Sequence, residues 1–120
     1  MNRLLEICID SIESGIISER AGADRVELCD NLFEGGTTPG PGTLKIARKE
    51  LKLGLNIMIR PRGGDFLYSD IEYDIIKEDI RIAKEEGADG LVFGILTPDG
   101  GIDISRTKDR INKFSKTPRT

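Results

Sequence analysis

The chain has 120 residues, 38% of them hydrophobic, and a formal net charge of −3 with both signs of charge interspersed. That length suits one domain, 1–120, with enough apolar side chains for a core, and the charge balance argues against a nucleic-acid or polybasic membrane partner. Histidine is absent, which excludes Ser-His-Asp and Cys-His nucleophile systems and any histidine-ligated zinc, while two cysteines are too few for a four-thiolate site.

Met1-Asn2-Arg3-Leu4 enters a strand pattern directly, with no signal-peptide pattern, and no apolar run approaches the roughly 18 residues of a membrane span. A cytoplasmic location with both cysteines reduced is the expectation. In Leu4–Asp10, Leu5, Ile7 and Ile9 alternate with Glu6, Cys8 and Asp10, the period of a strand. Asp10-Ser11-Ile12-Glu13 then reads as a capping box, Ile12 and Ile16 as the apolar face of a helix, and Ala21-Gly22 as its end. Arg25–Cys29 is a second strand, with Val26 and Leu28 on one face and Glu27 and Cys29 on the other. A long loop over Asp30–Gly42, rich in Gly, Thr and Pro, has the composition of a functional connection.

Leu44, Ala47 and Leu51 mark a second helix, ended by Gly54. Leu55–Arg60 is a third strand that breaks into Arg60-Pro61-Arg62-Gly63-Gly64. Two arginines at a strand end are costly to bury unpartnered, and the glycines let backbone N–H groups approach a ligand, so Arg60, Arg62, Gly63 and Gly64 are candidate anion-binding residues. Ser69-Asp70-Ile71-Glu72 is a second capping box, opening a helix whose face is read as Ile71, Ile75, Ile76, Ile80 and Ala83. Tyr68 and Phe66 are expected to pack the preceding loop beneath that helix. Gly90–Leu96 is a fourth strand. A fourth helix follows through Ile104, Ile111 and Phe114, and Thr117–Thr120 is a tail.

Four strand–helix units predict an α/β fold with a parallel sheet covered by helices. Ala21-Gly22-Ala23-Asp24-Arg25-Val26 is echoed 65 residues later by Glu86-Gly87-Ala88-Asp89-Gly90-Leu91. A repeat at every second unit suits a (β/α) barrel of the TIM type. In such an array the carboxyl ends of the strands form the ligand face. They would carry Cys8, Asp10, Glu27, Cys29, Arg60, Arg62, Gly94 and Thr97, with the polar alternates, Glu6 among them, toward the barrel interior. Glu27–Arg60 or Glu6–Arg60 pairing is expected there. Cys8 and Cys29 would lie on neighbouring strands with the same facing, near enough to share a soft metal such as Cu(I), or else each would be a small buried hydrophobe.

The chain resembles the CutC copper homeostasis family. The resemblance is carried by Leu5-Glu6-Ile7-Cys8-Ile9-Asp10-Ser11, Gly22-Ala23-Asp24-Arg25-Val26-Glu27-Leu28-Cys29, Glu34-Gly35-Gly36-Thr37-Thr38-Pro39, Met58–Ser69 and Gly87–Gly94. It implies a TIM-type barrel, a cytoplasmic protein and a role in copper handling, with Cys8 and Cys29 at positions matching proposed copper ligands. A complete barrel takes about 250 residues. Four units are therefore half of one, with exposed edge strands, an apolar interior face open to solvent, and a tendency to form homo-oligomers. The leading expectation is a copper-binding homeostasis protein. A barrel enzyme acting on a small anionic or phosphorylated metabolite, with Glu6, Asp10 and Glu27 as acid/base candidates, is the alternative. A fragment without activity is the third.

Overall fold

The computed structural model describes residues 3–116. Its elements follow the expected order: β1 (Glu6–Ile9), α1 (Ile12–Arg20), β2 (Arg25–Leu28), α2 (Pro41–Glu50), β3 (Gly54–Met58), α3 (Asp70–Glu85), β4 (Gly90–Val92) and α4 (Ile104–Lys116), with a single 3-10 turn at Leu32–Glu34. The four strands form one parallel sheet in sequence order. Ile7, Val26, Leu55 and Ile9, Leu28, Ile57 lie in register across β1, β2 and β3. The tail beyond Lys116 lies outside the described residues.

One face of the sheet is apolar and covered by helices. Ile9, Val26, Leu28, Leu55, Ile57 and Ile59 point to it and are buried with Leu44, Ala47 and Leu51 from α2 and its end, and with Ile76, Ile80 and Ala83 from α3. Alternation puts every second residue on the other face. That face carries Glu6, Cys8, Arg25, Glu27, Asn56, Met58 and Val92, so the interior side is mainly polar, as the strand alternation predicts, and not the open apolar face expected of half a barrel. Glu6 is the hub of its lower end: its Oε2 lies 2.6 Å from Arg25 Nε and accepts a 2.8 Å hydrogen bond from Asn56 Nδ2. Gly54 and Gly90 make room for this layer. A Cβ on Gly54 would meet Arg25 Cβ at 2.8 Å, and one on Gly90 would meet Asn56 Oδ1 at 2.5 Å.

Capping follows the sequence in one case and shifts in the other. Ser69 caps α3 in a full box with Glu72. At α1 the cap is Ser11, whose hydroxyl accepts from Ser14 N–H, and not Asp10. The extent of the apolar face on α3 is also corrected. Ile76, Ile80 and Ala83 are buried, whereas Ile71, in the first turn, and Ile75 are exposed. Ile104 and Ile111 of α4 are likewise exposed, and Phe114 alone of the expected trio packs against the core.

The echo seen in the sequence is a repeat of hydrogen bonds. Gly22 and Gly87 both take a left-handed conformation, at φ +98° and +97°. Ala23 and Ala88 N–H each donate at 3.0 Å to a helix carbonyl, those of Ser18 and Ala83. Asp24 and Asp89 then reach one strand back, their carboxylates accepting from Leu5 N–H at 2.7 Å and Leu55 N–H at 2.9 Å. Each aspartate ties the start of one strand to the start of the next.

Truncating Ile57, fully buried, to alanine is expected to lower unfolding free energy by about 2–5 kcal/mol. Ile71→Ala, on the exposed part of α3, is expected to change it by no more than about 0.5 kcal/mol. Urea melts followed by circular dichroism distinguish the two; an equally large loss for Ile71→Ala would place that residue in the core after all.

Candidate functional site

The two cysteines meet at the carboxyl end of β1 and β2. Cys8 is paired in register with Glu27, and Cys29 follows the end of β2 with its N–H donating to Ile9 O at 3.0 Å. Both side chains fall on the interior face, and their sulfurs lie 3.6 Å apart as free thiols. Their settings differ sharply. Cys8 is exposed, whereas Cys29 is 2% exposed and its thiol also faces Ile9 O at 3.5 Å. Burial first, then the hydrogen bond with Cys8 and the negative charges of Glu27 and Asp10, push the Cys29 thiol up to about 12.

The cover over Cys29 is the loop after β2. Asp30 and Thr37 form an antiparallel bridge, each N–H donating to the other's carbonyl at 2.9 and 2.8 Å, which folds Asn31–Gly36 back across the strand end. Gly36 closes the fold at φ +99°, a conformation that favours glycine. A Cβ there would lie 3.3 Å from Cys29 Sγ and 3.5 Å from Met58 Cε. Met58, part of the segment that carries the resemblance, is not among the candidate ligands read from the sequence. The signal that finds it is register: Leu28 pairs with Ile57, so the next pair is Cys29 with Met58, on the same face.

Arg60 holds this loop. It is only 7% exposed and makes no pair with Glu6 or Glu27, contrary to the expectation from sequence. Its Nη1 donates to the carbonyls of Glu34 and, at 3.0 Å, Gly36, and its Nη2 donates to Gly64 O at 2.8 Å. Backbone bonds lock the same segments, Arg60 N–H to Thr38 Oγ1 at 2.8 Å and Thr38 N–H to Arg60 O at 3.0 Å. The guanidinium also stacks on Phe66, 5.0 Å from the ring centroid. The physical reason for the missing ion pairs is proximity: three carbonyls from two loops converge on this side chain, while Glu6 is held by Arg25 and Asn56 at the opposite end of the strands.

Arg62 is committed in the same way. Its Nε pairs with Glu72, its Nη groups reach the Asp65 carboxylate and the carbonyls of Asp65 and Leu67, and it stacks on the Tyr68 ring. Arg62 and the Ser69 N–H hold the Glu72 carboxyl below its usual range. Both guanidinium groups therefore organise the Gly63-Gly64 turn from within, and with Gly63, Glu34 and Thr38 they also line an open pocket. Tyr68 is buried in the core as expected, and Phe66 stays partly exposed.

The three candidate carboxylates are not grouped. Glu6 belongs to the Arg25–Asn56 layer, Asp10 is exposed beyond β1, and Glu27 stands between them, its carboxyl raised by burial and by the neighbouring Glu6 charge. Among the described residues no group of three or more His, Cys, Asp or Glu side chains is placed to hold a metal ion. The donors brought together are the two thiols.

The two thiols should differ in reactivity under native conditions. A disulfide-exchange reagent is expected to modify Cys8 rapidly and Cys29 slowly, and Arg60→Lys, which cannot reach all three carbonyls, to accelerate Cys29 about tenfold by freeing its cover. Equal rates for both thiols in the unaltered chain would contradict the buried placement of Cys29.

Similarity to known proteins places the chain in a family. The model of the CutC family matches residues 3–117. The human copper homeostasis protein cutC homolog is 59% identical over 100 residues, covering 83% of this chain and 37% of its own length. A CutC family protein of Chromobacterium violaceum is 52% identical over 108 residues, covering 90% of this chain and 44% of its own. The crystal structure of a CutC from Streptococcus agalactiae superposes with a TM-score of 0.84 at 40% identity, over 97% of this chain and 57% of that one. The chain thus spans about two fifths of the length of these curated relatives, and its parallel strand–helix array corresponds to part of a TIM-type barrel. By family model, by relatives and by fold, this chain belongs to the CutC family.

Proposed function

We propose that this chain takes part in copper homeostasis by binding copper as Cu(I) through Cys8 and Cys29. The observation that carries the reading is the 3.6 Å approach of two free sulfurs from neighbouring parallel strands. Thiolates are soft donors, and Cu(I) is the soft first-row ion that accepts few ligands, whereas magnesium and calcium call for a cluster of oxygens. The pair has the right donors for the first and lacks the grouped carboxylates for the second. The family relatives named for copper homeostasis support the choice of metal. Thiols held reduced fit a cytoplasmic site.

The inequivalence of the thiols suits capture and retention. Cys8 is open to solvent and can take copper from a carrier by ligand exchange, while Cys29 provides a second bond inside a covered pocket. Copper must displace the Cys29 proton, and a thiol pushed up to about 12 is protonated throughout the neutral range. Apparent affinity should therefore rise with pH, by about tenfold per unit from that proton alone.

Anaerobic titration with Cu(I) against a competing chelator tests the reading. The expected result is one copper per chain, tighter at pH 8 than at pH 6 and lost in the Cys8→Ser/Cys29→Ser double variant. A double variant with unchanged affinity would remove these residues as the copper ligands.

A further inference from the structure

Two sulfurs 3.6 Å apart do not by themselves complete a copper site. Taking the roughly 2.3 Å bond that zinc makes to thiolate as a scale, a linear S–metal–S unit would separate the sulfurs by about 4.6 Å. The sulfurs of the free thiols stand 3.6 Å apart, closer than a linear unit would hold them, so a bent unit with room for a third donor needs less movement of the two strands. The carboxylates on this face, Glu27 and Asp10, are hard donors that match Cu(I) poorly.

The structure holds a soft donor in the right place. Met58 stands beside Cys29 in register on the same face, and paired strands lie only about 4.8 Å apart. Its methyl and the Cys29 sulfur both lie against Gly36: a Cβ there would stand 3.3 Å from the sulfur and 3.5 Å from the methyl. Gly36 is held at φ +99° and its carbonyl is fixed by Arg60, so the roof is built and not incidental. Methionine has three rotatable side-chain bonds and a polarizable thioether, so its sulfur can be re-aimed without moving the strand.

We propose that the Met58 thioether is the third sulfur donor to the copper ion held by Cys8 and Cys29, making a three-coordinate sulfur site roofed by Gly36. This rests on the copper reading above and goes beyond it in the identity and number of the ligands. Two thiolates and one Cu(I) leave a single negative charge, and the neutral thioether adds a bond without adding to it. No redox step is involved: the metal stays Cu(I), and the proton of each bound thiol goes to solvent.

The chain contains two methionines, Met1 and Met58, which makes labelling selective. With selenomethionine in both positions and Cu(I) bound anaerobically, selenium-edge X-ray absorption is expected to show copper at bonding distance. That signal should vanish in Met58→Leu, and copper-edge data should fall from three sulfur-type neighbours to two. Met58→Leu is also expected to weaken Cu(I) binding by about tenfold or more while leaving one copper per chain. Cysteine-dependent binding with no selenium–copper signal in the labelled unaltered chain would overturn the role of Met58 alone. Binding that survives Cys8→Ser/Cys29→Ser would overturn the thiol reading as well. The labelled unaltered chain keeps the proposal falsifiable even if the leucine variant does not fold.

Discussion

The convergence of three backbone carbonyls on one buried guanidinium decides the shape of the upper end of this fold. A charged group that is 7% exposed has left water and must recover its hydrogen bonds from the protein. Arg60 does so through its two terminal nitrogens with Glu34 O, Gly36 O and Gly64 O, two from the loop after β2 and one from the turn after β3, while its Nε is buried without a partner. The two loops are thereby fastened to each other through a residue that directly follows the core residue Ile59. Because Gly36 is one of the fastened residues, the cover over Cys29 depends on this cation. Arginine suits the task for its planar fork of donors; lysine has three rotatable donors at a single point and cannot span the same acceptors.

The sheet beneath separates two kinds of work by the simplest rule of strand geometry. Odd and even residues face opposite ways. One set meets the helices and supplies the apolar burial that stabilises the chain. The other set is released from that duty and is mainly polar: Glu6 and Arg25 at one level, Cys8, Glu27 and Asn56 above, Cys29 and Met58 above those. The small residues Gly54 and Gly90 leave space for long side chains to lie across neighbouring strands. The aspartates Asp24 and Asp89 fix adjacent strand starts by the same side-chain bond. A fixed register is what turns a two-residue period into a three-dimensional position, since one step of slip would send Cys29 into the helix layer.

That dependence on register explains what could be read in advance and what could not. Alternation in Leu5–Asp10 and Arg25–Cys29, with turn glycines between, was enough to put Cys8 and Cys29 on one face of adjacent strands, and the sulfurs do meet. The repeat of Gly22-Ala23-Asp24 at Gly87-Ala88-Asp89 was legible as sequence and turned out to be a repeat of hydrogen bonds. The partners of Arg60 and Arg62 were not legible. Charge pairing suggested carboxylates, but most acceptors are carbonyls, and a carbonyl leaves no mark in the sequence because every residue has one. Ile71 and Ile75 fit a helical stripe by spacing, yet spacing alone does not say which part of the stripe meets a neighbour, and only Ile76, Ile80 and Ala83 are buried. Met58 looked like one more apolar residue in a strand, since its significance comes from the residue opposite it.

The same reasoning explains why a metal pair here does not need the short-range spacing by which such sites are often recognised. In a CxxC motif one turn of chain brings two thiols together, so proximity is local. Here 21 residues separate Cys8 from Cys29, and proximity comes from two parallel strands joined through α1. A local motif can assemble before the fold does. A pair delivered by adjacent strands exists only when β1 and β2 are in register, so occupancy of the site and integrity of the sheet are thermodynamically linked: a ligand that binds only the paired arrangement stabilises that arrangement. The sulfurs are therefore as much a report on the register of the first two strands as a place for a metal.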